Sequence, residues 1–144
     1  MSKPSILLVD DEQENINLLA NILGDPYELH EARDGEQALD LLRRRELDLV
    51  LTDQRMPGLT GVEFLERSRR IRPDCVRMLI TAYPDVNDAI EAINRGHVRR
   101  YIAKPFDAGE LKLAVAQELE HAELARTNRR LREELAAMVR ELSR

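Results

Sequence analysis

Five short apolar runs, each closed by a polar residue and each followed by a helix-spaced stretch, constrain this 144-residue chain more than any other feature. The runs are SILLV at 5–9, a weaker alternating stretch from Tyr27 to Ala32, DLVLT at 48–52, and residues 76–80 and 99–103. Uninterrupted apolar runs of this length suit strands covered on both faces, whereas alternation suits an edge. Between them, residues 12–24 carry Ile16, Leu19, Ala20 and Leu23 at helical spacing, and Gly24 with Pro26 forms the stop. Residues 35–45 carry Ala38, Leu39, Leu41 and Leu42. Residues 62–71 carry Val62, Phe64 and Leu65, and residues 85–95 end at Gly96. A last helix starts near Asp107 and has no Pro or Gly from residue 110 onward. Strand and helix alternating five times predict an α/β fold, a parallel sheet with helices on both faces joined by right-handed crossovers.

Composition narrows the function classes. A net charge of -5 argues against nonspecific nucleic-acid binding by the bulk of the domain. The single cysteine, Cys75, excludes an internal disulfide and fits a reducing compartment. The opening MSKPSILLVDDE has too short an apolar run for a signal peptide, and no later run is long enough to span a membrane. The expectation is a soluble cytoplasmic protein with no membrane partner. His30, His97 and His121 lack metal-ligand spacing, and Gly58 and Gly61 read as turn chemistry rather than a phosphate-cradling loop.

In an open parallel sheet, sites form outside the carboxyl ends of the strands. Asp10 and Asp11 follow the first strand, Asp53 the third, Thr81 the fourth and Lys104 the fifth. All five project into one crevice. Three carboxylates brought together raise one another's pKa. A hard divalent cation, Mg²⁺ or alternatively Mn²⁺, relieves that repulsion, because it takes one or two carboxylates together with phosphate oxygens. Asp53 is then a carboxylate nucleophile able to form an acyl phosphate. Phosphoryl transfer asks mainly for positioning and charge neutralisation, to which Lys104 adds an ammonium and Thr81 a hydroxyl donor.

Four segments, LLVDDE at 7–12, DQRMPGLTG at 53–61, LITAY at 79–83 and YIAKPF at 101–106, resemble the response-regulator receiver domains of two-component systems. The resemblance covers residues 5 to about 120, and the order and spacing of the four segments make it specific. It implies a flavodoxin-like sheet of order 2-1-3-4-5 and a phosphorylation switch rather than a turnover enzyme, with at most autophosphorylation and autodephosphorylation. It further implies Asp53 as phosphoacceptor, Asp11 as a direct Mg²⁺ ligand, Asp10 acting through water, and the carbonyl of Arg55 as a further ligand. Lys104 would pair with the phosphoryl group and precede a cis proline. Thr81 and Tyr101 match the switch pair that remodels the face of helix four, strand five and helix five. Arg55 and Tyr83 occupy positions expected to tune the dephosphorylation rate. The phosphodonor would be a histidine kinase or a phosphotransfer protein. Within the family the chain looks like receivers joined to nitrogen-regulator or hydrogenase-regulator transcriptional activators, or to HD-type phosphodiesterases.

The final helix is longer than such a domain requires. Leu124, Asn128, Leu131, Leu135, Met138 and Leu142 follow heptad spacing, with Asn128, Leu135 and Leu142 at a positions. A lone Asn at a fixes register in two-stranded coiled coils, so a parallel homodimer through this helix is expected. The division is a receiver at 1–120 and a helical extension, coiled coil or signalling linker, at 121–144. Arginines of the extension are interleaved with glutamates, the pattern of a solvated face rather than a nucleic-acid reader.

The competing reading is a Mg²⁺-dependent phosphatase with an aspartyl-phosphate intermediate. The haloacid-dehalogenase type places an Asp-x-Asp nucleophile after strand one, whereas here that strand ends in adjacent Asp10 and Asp11. A nucleotide or flavin module would require a phosphate-binding loop.

Overall fold

The computed structural model describes residues 3–82 and 85–143. Among these residues five strands, β1 (Ser5–Val9), β2 (Glu28–Ala32), β3 (Leu49–Asp53), β4 (Val76–Thr81) and β5 (Arg100–Ala103), alternate with five helices. The helices are α1 (Gln13–Leu23), α2 (Gly35–Arg44), α3 (Gly61–Ile71), α4 (Val86–Gly96) and α5 (Ala108–Leu142). The sheet is parallel, in the order β2-β1-β3-β4-β5. The alternating, part-exposed β2 lies at one edge, and β1, fully buried, lies inside.

Strand periodicity divides the core in two. Leu7, Val9, Val50 and Leu79 join Ala38, Leu39, Leu42, Phe64, Leu65 and Ala92 beneath α2, α3 and α4. Ile6, Leu8, Leu49, Leu51, Met78 and Ile80 join Ile16, Leu19, Leu23, Leu111, Ala114 and Val115 beneath α1 and α5. Phe64 and most of these strand residues are wholly buried, and burying each such side chain is worth about 1.5–3 kcal/mol.

The helix starts follow local chemistry. Asp34, Asp85 and Asp107 cap α2, α4 and α5 with their carboxylates. Thr60 and Glu63 form a reciprocal capping box on α3. One stop differs from expectation. Gly96 is the last residue of α4 rather than its terminator, and His97 takes the left-handed conformation, φ 49°. Glycine serves at 96 for a steric reason, since a Cβ there would stand 3.2 Å from Leu65 Cβ of α3.

Helix α5 runs for 35 residues. Its first part buries Leu111, Ala114, Val115 and Glu118. Glu118 receives Arg99 Nε at 3.1 Å and Arg100 Nε at 3.2 Å, which fastens the helix to β5. Farther on, Arg126 pairs with Asp48 at 3.7 Å and Arg129 with Asp74 at 3.6 Å. Beyond that point every described residue of α5 is exposed, including Leu131, Leu135, Met138 and Leu142.

Candidate functional site

The carboxyl ends of β1 and β3 are neighbours in the sheet, and β4 and β5 follow in order. Residues that close these strands therefore converge. One carboxylate oxygen from each of Asp10, Asp11 and Asp53 lies within 4.8 Å of the others. From β5, Lys104 places its Nζ 3.6 Å from Asp53 Oδ1 and 4.0 Å from Asp10 Oδ2. The turn that presents it contains the cis Lys104–Pro105 peptide, and Lys104 N–H donates to the Thr81 carbonyl at 2.8 Å.

Burial and charge act against each other here. Asp10 is almost fully enclosed. Its carboxyl is pushed above the ordinary range by burial, with Asp53 adding to the rise and the Glu12 N–H at 2.9 Å and Lys104 opposing it. Asp53 is likewise raised by burial, and Lys104 is the largest opposing influence. Proximity to Asp11 adds to the rise at Asp53. A crowded, partly desolvated set of hard oxygen donors fits a divalent cation of the Mg²⁺ class, whose charge would offset that repulsion. Asp10 and Asp53 open into a groove of about 670 Å³, walled by Leu18, Leu19, Ile22, Pro105 and Phe106.

Thr81 closes β4 next to the strand that ends at Asp53, and Tyr101 lies on β5. Leu79 pairs with Tyr101 and Thr81 with Ala103, so strand periodicity puts Thr81 and Tyr101 on the face covered by α4. Thr81 is buried. The Tyr101 ring packs against the core beneath α4, and its buried hydroxyl finds no hydrogen-bond partner among the described residues. Arg55 is exposed and lines an open hollow with Met56, Pro57 and Asp88. Tyr83 lies outside the described residues.

Two contributors escape a reading by spacing. Arg33, just after β2, grips the Asp11 carbonyl through Nη2 at 2.6 Å and Nε at 3.1 Å, and so supports the acidic loop from the neighbouring strand. Its only sequence signal is its place after a strand that borders β1. Gln54 follows Asp53 and is buried, with its amide oxygen accepting from Val62 N–H at 2.9 Å. Nothing in the sequence announces that bond.

Comparison with known proteins agrees with this geometry. The response regulator receiver domain family matches residues 6–116. The hydrogenase transcriptional regulatory protein HoxA of Cupriavidus necator is 37% identical over 81% of this chain and 24% of its own length. Sporulation initiation phosphotransferase F of Bacillus subtilis is 36% identical over 83% of this chain and 96% of its own length. The signal receiver domain of an HD domain-containing protein from Pseudomonas fluorescens Pf-5 superposes with a TM-score of 0.81 at 42% identity, covering 85% of this chain and 98% of that one. The chain spans about a quarter of the length of the transcriptional regulators it matches. Among its described residues, no helix is long and apolar enough to cross a membrane. Sheet order, strand-end chemistry and sequence likeness agree, and the chain belongs to the response regulator receiver domain family.

Proposed function

We propose that this chain is a phosphorylation switch whose acceptor is Asp53. The observation that carries the reading is the meeting of the Asp10, Asp11 and Asp53 carboxylates with the Lys104 ammonium at one strand rim. An Asp53 oxygen attacks the phosphorus of the donor, the bond to the leaving group breaks, and a mixed anhydride forms on Asp53. Lys104 is placed to balance charge on the transferred group. Asp11, Asp10, Asp53 and the Arg55 carbonyl are the residues to hold Mg²⁺. When bound, Mg²⁺ neutralises the carboxylates and the phosphoryl oxygens. The phosphodonor is a histidine kinase or a phosphotransfer protein, for which the exposed Leu18 at the edge of the groove beside Asp53 offers an apolar contact. The name of the phosphotransferase relative, which the chain covers almost end to end, supports the same class of partner.

For the readout, Thr81 supplies a hydroxyl to the phosphoryl group and Tyr101 responds to the space it vacates. The Tyr101 hydroxyl, without a partner among the described residues, supports a ring able to exchange between two arrangements, because a buried donor left unpaired costs about 1–3 kcal/mol. Arg55 and Tyr83 set the phosphoryl lifetime. Helix α5 carries the signal outward, and residues 121–144 pair with a second copy. Two residues apart on a helix is about 200° of rotation, so Leu124 and Leu131 face away from the Arg126 and Arg129 contacts, free for a partner. The setting is cytoplasmic, where the lone, buried Cys75 stays reduced.

The phosphatase alternative separates cleanly in one experiment. With Mg²⁺ and an acyl phosphate donor, the switch takes up one acid-stable, base-labile phosphoryl group per chain. Sustained turnover of small phosphoesters by the protein would instead establish the enzyme.

A further inference from the structure

Gln54 is the residue after the proposed acceptor, and its side chain leaves the sheet on the side opposite Asp53. Its backbone N–H, its backbone carbonyl and its side-chain oxygen all fasten the base of the β3–α3 connection. Its N–H donates to the Ile80 carbonyl of β4 at 3.2 Å, and its carbonyl accepts from Gly61 N–H at 2.9 Å. Its side-chain oxygen accepts from Val62 N–H at 2.9 Å. The first two N–H groups of α3, which have no partner within the helix, are thus both taken by this one residue. Thr60 takes the third. The loop 55–60 is pinched shut at its base, directly against the Asp53 backbone. The approach is so close that a Cβ on Gly61 would strike the Asp53 carbonyl and stand 3.0 Å from Gln54 Cα.

A helix cap needs only a hydroxyl or carboxylate at the residue before the helix, and Thr60 already provides one. A buried amide reaching eight positions along the chain does more than cap. It joins the strand that presents Asp53 to the helix that ends the Arg55 loop. We infer that Gln54 is a positioning residue for the phosphoacceptor centre, holding the Asp53 backbone and the Arg55 segment in register for cation and phosphoryl binding. The inference rests on the reading of Asp53, Asp11 and Asp10 as a cation-assisted phosphoacceptor site. Gln54 itself touches neither the cation nor the phosphoryl group.

Coupling between two sites is reciprocal, so the test runs in both directions. In the wild-type protein, saturating Mg²⁺ should slow amide exchange at Val62 and Gly61. In Gln54→Met, which keeps the length and removes the acceptor, Mg²⁺ affinity read by amide chemical shifts should fall about tenfold, the usual loss when a group supporting a metal ligand is removed. Gln54→Glu, which keeps the acceptor, should retain protection at Val62 and bind Mg²⁺ no more weakly than wild type. Ser68→Ala removes a buried hydrogen bond farther along α3, to the Leu65 carbonyl. It should lower the melting temperature and leave Mg²⁺ affinity unchanged. Exchange at Val62 that ignores Mg²⁺ in the wild type, a measurement needing no variant, would overturn the inference. So would Mg²⁺ affinity in Gln54→Met equal to wild type. Failure of the wild-type protein to bind Mg²⁺ at all would sink the site reading itself, a different result.

Discussion

The Lys104 ammonium stands 3.6 Å from Asp53 Oδ1, and that ammonium is the largest influence holding down a carboxyl that burial otherwise raises. The same cation stands 4.0 Å from Asp10 Oδ2, so it serves two carboxylates that repel each other. Its loss should therefore register at both.

In Lys104→Met the Asp53 carboxyl is expected to titrate still higher than in the wild type. Carbon-detected NMR titration of the aspartate side chains measures this directly. Phosphorylation by a small acyl phosphate is expected to slow by about a hundredfold or more, the typical loss when one preorganised charge contact to a transition state is removed. An unshifted Asp53 titration would show that the ion pair is absent in solution.

The acidic cluster also fixes a pH dependence. The Asp10 and Asp53 carboxyls both lie above the ordinary value in the folded chain, so the folded state keeps protons that the unfolded chain has released. Ionising them therefore costs stability. This stability is present at acid pH, declines as pH rises through the unfolded carboxyl range, and is fully lost above the raised folded values. Mg²⁺ requires the ionised carboxylates, so its stabilising effect should be smallest at acid pH and grow toward neutrality. Asp53→Asn should stabilise the metal-free protein by about 1.4 kcal/mol per pKa unit relieved. It should also respond less to Mg²⁺. Thermal melts across pH, with and without Mg²⁺, check both directions.

Gly61 should tolerate no side chain. A Cβ there meets the Asp53 carbonyl, stands 2.7 Å from Leu79 Cδ1 and leaves the Gln54 backbone no room to retreat. Gly61→Ala is expected to cost about 1–3 kcal/mol, as overpacking does, and to impair labelling of Asp53. Gly58, with φ 79° and nothing within 4 Å of its Cβ direction, is the control. There alanine should cost only about 1 kcal/mol of backbone strain. Denaturant unfolding of the two variants makes the comparison, and equal, small losses would contradict the packing argument.

The sequence was readable where periodicity and strand ends speak. Continuous apolar runs marked β1 and β3, a run broken by Arg77 marked β4, and alternation marked β2 as an edge. Asp10, Asp11, Asp53 and Lys104 converge because parallel strands put all their carboxyl ends on one rim. What escaped was set by tertiary distance. Gly96 looked like a helix stop, but its role is to let α4 approach Leu65, which no local pattern encodes. Arg33 reaches Asp11 only because β2 and β1 are neighbours. The Gln54 bond to Val62 depends on how the loop closes.

The exposed stripe of α5 yields a prediction about assembly. Leu124, Leu131, Leu135, Met138 and Leu142 are each more than half exposed along the outer part of α5. A parallel coiled coil with a second copy would cover them. Sedimentation should give a dimer for the wild-type protein and a monomer for the double variant Leu131→Glu, Leu135→Glu, whose receiver core remains folded. A wild-type monomer at high micromolar concentration would exclude this pairing.

The most direct measurement is chemical identification of the phosphorylated side chain. The protein is labelled with an acyl phosphate donor and Mg²⁺, the acyl phosphate is reduced with borohydride, and the modified residue is located by peptide sequencing in a mass spectrometer. Homoserine at position 53, with no label taken up by Asp53→Asn, is the predicted result. Homoserine at another aspartate, or undiminished labelling of Asp53→Asn, would contradict the account.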